Sequence, residues 1–130
     1  KSFVYKHIVN TFELQVYLKK PLCKKYKKVI CQYRISAHSL HIETGRYTKT
    51  NINMRNCKFC NLGCIDDEYH FILTCPYQSE LRNKYINKYY IVKPSMFKLC
   101  QLFQSNSIQK LSNLGKYLHH STELRKANQL

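Results

Sequence analysis

A chain of 130 residues, 44% of them hydrophobic, is long enough for one compact domain but short enough that its buried surface is modest. Its 22 Lys and Arg against 7 Asp and Glu give a net charge of +15, a balance that points to a polyanionic partner. No apolar run reaches eighteen residues, which excludes a membrane-spanning helix from this sequence, and seven cysteines without an apolar leader favour metal binding in a reducing compartment over a disulfide framework.

The charge is unevenly placed. Residues 1–50 carry 11 basic and 2 acidic groups (+9), residues 51–80 carry 2 and 4 (−2), and residues 81–130 carry 9 and 1 (+8). The expected organisation follows: a basic helical N-terminal segment and loop over 1–50, a metal-binding core over 51–80, and basic C-terminal helices over 81–130 packed on that core as one domain. The first residue is Lys, so a fragment of a longer chain is expected.

Residues 4–18 mix aromatic and aliphatic side chains without a clean period and lean towards helix. From Pro21 the period sharpens. Leu22, Tyr26, Val29, Ile30 and Tyr33 share one face at 100° per residue, with Lys24, Lys27 and Lys28 opposite, which predicts an amphipathic helix opened by a first-turn proline. The run Lys19, Lys20, Lys24, Lys25, Lys27 and Lys28 is the best candidate for phosphate contact; the competing reading is a solvated helix face or a localisation signal. Residues 38–56, rich in Thr and Asn, read as a long ordered loop in which Gly45 can take a left-handed turn conformation and Arg46 can reach a phosphate. His38, His41 and Glu43 in that loop fit packing and hydrogen bonding better than catalysis, because no nucleophile accompanies them.

Cys57, Cys60, His70 and Cys75 then form C-x2-C-x9-H-x4-C. Two thiols two residues apart can reach one ion from a tight turn, and the later His and Cys close a tetrahedron, which is the ligand set of a structural zinc site. Four protein ligands leave no open position for a water or substrate, so one Zn²⁺ is expected to hold the chain together without doing chemistry. Asp66, Asp67 and Glu68 precede a short helix carrying His70; three adjacent carboxylates point in different directions, and stabilising the helix start suits them better than holding catalytic metals, with Asp67 or Glu68 available to orient His70. Cys75 should lie at a frayed or tightened helix end, because five residues of ideal helix turn two ligands about 140° apart. Cys23, Cys31, Cys64 and Cys100 remain as small apolar residues.

Beyond Pro76, Leu81 and Tyr85 suggest a helix to about residue 88. Phe97, Cys100, Leu102 and Phe103 suggest another, and Ser107 caps a last one carrying Ile108, Leu111, Leu114 and Leu118, weakened at Gly115. Tyr85, Tyr89 and Tyr90 could stack on unpaired bases, with core packing as the alternative. The expected fold is mostly α, a small helical domain built around a CCHC zinc-held turn, with room for two short strands around Cys57.

The stretch from Arg34 through His38, His41, Ile42, Glu43, Thr44 and Gly45 to Arg46, followed by the CCHC set, Asp67-Glu68-Tyr69-His70-Phe71 and Cys75-Pro76, resembles the C-terminal zinc-binding region of LINE-type (non-LTR) retrotransposon reverse transcriptases over roughly residues 30–90. That resemblance implies a module downstream of a polymerase domain that contacts template RNA or target DNA, with Cys57, Cys60, His70 and Cys75 at the proposed ligand positions. No Tyr/Phe-x-Asp-Asp turn and no endonuclease motif is present, so synthesis and cleavage do not carry over and no enzyme activity is expected. The expected function is therefore a noncatalytic, zinc-stabilised module that binds RNA or DNA with low sequence specificity, intracellular and nuclear or nucleocytoplasmic. The alternative is a scaffold module packing against an upstream polymerase domain. No membrane partner is expected.

Overall fold

The computed structural model describes residues 23–34, 38–105 and 107–128. The segment 4–18, together with Lys19, Lys20, Pro21 and Leu22, lies outside the described residues.

The chain is mostly helical. Helix α1 (Lys24–Arg34) buries Ile30, Tyr33 and Arg34 and leaves Lys24, Lys25 and Lys28 exposed, as its period predicts, with Lys27 half-buried. The expected loop at 38–56 contains a single helical turn, α2 (His41–Thr44), and a 3₁₀ turn (Ile52–Met54). Gly45 is not left-handed: its φ is −60°. Glycine is needed there for space, since a Cβ would lie 2.6 Å from Arg55 Cγ and Cδ. Arg55 runs past it to donate from Nε to Thr50 O (2.9 Å) and from Nη1 to Ile42 O (2.8 Å), tying the loop together.

The two strands expected around Cys57 reduce to one antiparallel bridge between Asn56 and Ile65. A π-helical turn (His70–Thr74) follows, then a 3₁₀ turn (Pro76–Gln78) leading into α3 (Ser79–Tyr85). The helix expected to run to residue 88 stops at Tyr85, and a separate short helix α4 (Lys88–Val92) starts at Asn87, whose Oδ1 accepts from Tyr89 N at 2.9 Å. Ser95 caps α5 (Met96–Phe103) and Ser107 caps the long α6 (Ile108–Ala127), each hydroxyl oxygen accepting the backbone N–H three residues on.

Helix α6 is the spine. It lies against α1, α3 and α5, and its buried stripe runs Leu111, Leu114, Leu118, Ser121 and Arg125 at spacings of three and four. Gly115 does not break it. A Cβ at 115 would sit 2.5 Å from Tyr26 Cβ and 3.2 Å from Tyr26 Cα, so glycine lets the α1 backbone cross α6 at close range. The core joins Ile30 and Tyr33 of α1, Phe71, Ile72 and Leu73 of the π-turn, Leu99, Leu102 and Phe103 of α5, and the α6 stripe.

Candidate metal centre

Cys57 and Cys60 lie on the turn between the bridged residues Asn56 and Ile65, closed by Cys57 N–H donating to Cys64 O at 2.9 Å. Phe59 N–H points back at Cys57 Sγ (3.4 Å), a donor that favours the thiolate. His70 opens the π-turn and Cys75 ends it. The expected frayed or tightened end is instead a widened one: Cys75 N–H donates to His70 O at 2.7 Å, five residues back, and this wider ring brings both ligands to the same side. Pro76 shapes this register. It has no N–H for the carbonyls of Phe71 or Ile72, which in α or π register would look to position 76. Buried side chains supply the missing donors: Arg82 Nε to Ile72 O (2.8 Å), and Arg82 Nη2 (3.1 Å), Gln78 Nε2 (3.3 Å) and Tyr117 Oη (2.6 Å) to Phe71 O.

These elements bring one ligand atom from each of Cys57, Cys60, His70 and Cys75 within 4.8 Å of one another, close enough to hold a metal ion. The pairs Cys57 Sγ···Cys75 Sγ and Cys60 Sγ···His70 Nε2 are 3.8 and 3.4 Å apart. All seven cysteines are free thiols, and Cys23 and Cys64 are exposed, not apolar packing residues. His70 presents Nε2 to the cluster because Nδ1 is engaged with Thr74 Oγ1 at 2.9 Å, while the Thr74 hydroxyl donates to His70 O (3.3 Å). With the hydroxyl proton so placed, Thr74 accepts from Nδ1–H, fixing the tautomer that leaves a lone pair on Nε2. Thr74, not Asp67 or Glu68, is the orienting residue.

The three carboxylates part company, as their adjacency predicts. Asp67 Oδ1 accepts from His70 N–H (2.9 Å) at the helix start, and burial raises its pKa. Glu68 is buried against His38, which stacks on Tyr33. Asp66 is buried against Arg125, accepting from Nη1 on both oxygens (2.9 and 3.1 Å), and its Oδ2 also accepts from His41 N–H. His41 itself turns Nδ1 to Asn56 O, and exposed Arg46 donates to Glu43 Oε1 at 3.1 Å, so this loop is organised by packing and hydrogen bonds.

Arg125 is the residue that sequence reasoning misses. From the last turn of α6 its Nη2 reaches Cys57 Sγ (3.4 Å) and Cys75 Sγ (3.6 Å), while its guanidinium lies against the rings of Phe59 and Phe71 at 4.7 and 4.6 Å. Burial disfavours its charge, but Asp66 and the two sulfurs more than offset that and hold its pKa above the usual arginine value. Among the thiols, the hydrogen bond shared with Cys75 lowers the pKa of Cys57 and raises that of Cys75, and burial raises that of Cys60. Metal ligation takes cysteines as thiolates, so binding at this cluster would release protons.

None of the described candidate contact residues is among the four clustered ligands. Lys24, Lys25 and Lys28 are exposed on α1; Tyr90 is buried, and Tyr85 is half-buried with its ring stacked on His120. Tyr89 alone of the three stays half-exposed, under Lys98 Nζ at 4.5 Å. No described helix is long and apolar enough to cross a membrane. Comparison with protein-family models, curated proteins and solved structures finds no match to this chain.

Proposed function

We propose that this chain is a noncatalytic, zinc-stabilised nucleic-acid-binding module, of the kind the resemblance to LINE-type reverse transcriptases implies, binding template RNA or target DNA with low sequence specificity. One observation carries the nucleic-acid reading. Of the six carboxylates among the described residues, only Glu80 and Glu123 are exposed, whereas eleven Lys and Arg side chains are, so the fold presents a surface more one-signed than the composition alone. Among the described residues no lysine pairs with a carboxylate. Arg125 also offsets part of the acidic middle segment from within by pairing with Asp66, leaving less of its charge to repel a phosphate backbone.

The choice of zinc is supported by distance. With Zn–S near 2.3 Å and Zn–N near 2.0–2.1 Å, tetrahedral edges come to about 3.8 Å for S···S and about 3.6 Å for S···N; Cys57–Cys75 and Cys60–His70 are 3.8 and 3.4 Å apart, and the other ligand pairs lie within 4.8 Å. Three Cys and one His is a closed structural set. When bound, the ion would clamp the 57–64 turn to the π-turn.

Elemental analysis of reduced, natively purified protein should return one zinc per chain. Chelation should unfold the domain, and Cys60→Ser should lose both metal and cooperative folding. The folded protein should bind RNA and DNA with log affinity falling steeply against log salt, at a slope near −4 to −5 if about five lysines neutralise phosphates. No binding at low ionic strength would overturn the nucleic-acid reading. The scaffold reading draws on exposed Tyr47, Ile52, Met54 and Leu62 on the segment that carries the metal turn; salt-insensitive association with a polymerase domain, lost on Ile52→Ser and Leu62→Ser, would favour it.

A further inference from the structure

We propose that the cleft at the head of α6 seats the phosphodiester backbone of one unpaired nucleic-acid strand, an assignment that rests on the nucleic-acid reading above. The cleft, about 580 Å³, lies between the α3–α4 corner and the first turns of α6. Its charged groups are Lys84, Lys88 and Lys110, and no carboxylate lines it among the described residues. The amides of Asn83, Asn87 and Asn113 line it as well, and their N–H₂ groups can donate to an oxyanion, while Asn87 Oδ1 and Asn113 Oδ1 each already accept one bond, from Tyr89 N–H and from Gln109 Nε2 (3.5 Å).

The walls thus offer ammonium groups and amide donors with no carboxylate among the described residues, a combination that suits an oxyanion and leaves a cation without a counter-charge. Lys84 and Lys110 lie 5.2 and 5.8 Å over the rings of Tyr85 and Tyr90, which holds both ammonium groups at the cleft. The volume falls in the ordinary range for small-ligand pockets, about 300–1,000 Å³; a concavity of this kind admits the flexible backbone of a single strand, whereas a duplex, a rigid convex cylinder, would meet only its rim. The cleft is also separate from the α1 lysines. Tyr26 crosses α6 at Gly115 and Lys25 faces His119 one turn further on, whereas the cleft takes Gln109, Lys110 and Asn113 from the first turns of α6 and no α1 residue among those described.

The test uses the full chain, a fluorescein-labelled 15-mer oligouridylate, a blunt 15-base-pair duplex and polyglutamate. Lys84, Lys88 and Lys110 are exposed, so the triple variant K84Q/K88Q/K110Q should keep its fold, checked by circular dichroism. It should bind oligouridylate about tenfold more weakly in moderate salt, with a log–log salt slope shallower by about 2, at roughly 0.7 per single-strand phosphate. The Asn83, Asn87 and Asn113 side-chain amide signals should shift on adding oligouridylate and stay still with polyglutamate. If this variant keeps wild-type affinity and slope while K24Q/K25Q/K28Q weakens binding, the cleft assignment falls and the nucleic-acid reading stands. If the wild type binds no nucleic acid, both fall. Equal amide shifts with polyglutamate, or tighter binding of the duplex through the same three lysines, would overturn the assignment to an unpaired strand.

Discussion

Replacing Arg125 by Met tests how the last helix is tied to the candidate metal centre. The substitution keeps much of the apolar stem but removes both hydrogen bonds to Asp66 and both contacts to the sulfurs of Cys57 and Cys75. Asp66, whose side chain is 5% exposed, would keep a buried charge with only His41 N–H to answer it. Removing one partner of a buried pair costs about 3–5 kcal/mol, a large part of a total stability of about 5–15 kcal/mol. With an unfolding entropy of about 2.1 cal/mol/K per residue, the chain's 130 residues convert that cost to a fall in Tm of roughly 11–18 °C. Asp66→Asn retains an oxygen for His41 N–H and removes the charge that Arg125 answers. In a double-mutant cycle the pair D66N/R125M should therefore cost at least about 2 kcal/mol less than the sum of the singles. Urea unfolding of all four proteins, with and without added zinc, measures it. An R125M protein within about 1 kcal/mol of wild type, or an additive cycle, would refute the account of Arg125 as the bond between α6 and the centre.

Gly115→Ala should destabilise by up to about 2 kcal/mol despite alanine's better helix propensity, because crowding costs about 1–3 kcal/mol and the propensity gain is about 1; a Tm above wild type would show that α1 gives way freely at Tyr26. Thr74→Val removes the acceptor that orients His70 Nδ1–H, and competition with a chromogenic chelator should show zinc affinity reduced about 10–100-fold with the fold retained when metal is saturating. Burial raises the pKa of both Tyr33 and Tyr117. The stability each contributes is full below the ordinary tyrosine value, near 10, and is lost as pH climbs above it, because the unfolded chain ionises first. Absorbance at 295 nm should show these two rings titrating only with alkaline unfolding, and Tyr33→Phe should move that unfolding to higher pH; titration of all eleven tyrosines before unfolding would contradict the burial of these two.

Much of the fold is legible from residue spacing. The face shared by Val29, Ile30 and Tyr33, the serine cap at 107 and the CCHC spacing each express a local rule, and each reappears in the structure. What escapes is set by distant partners. Gly115 reads locally as a weak point in a helix, and only the approach of Tyr26 shows why it is tolerated. His70 and Cys75 are separated by one residue more than an α-helical turn bridges, and the answer depends on Arg82, Gln78 and Tyr117 filling carbonyls stranded by Pro76. Arg125 left one trace: it continues the three-and-four spacing of Leu111, Leu114, Leu118 and Ser121, so a charged residue falls on an apolar stripe. A cation there needs a buried anion, but nothing local names Asp66 or the two sulfurs, 50 to 68 positions away.

That separation has a consequence for the order in which the centre is assembled on the ribosome. Cys57 and Cys75 are only 18 positions apart, so all four ligands leave the exit tunnel well before Arg125 does. During that interval the nascent sulfurs lack their guanidinium neighbour, and a dissolved cation is the counter-charge within reach. The late helix would then dock as a latch over a turn whose four ligands are already at hand.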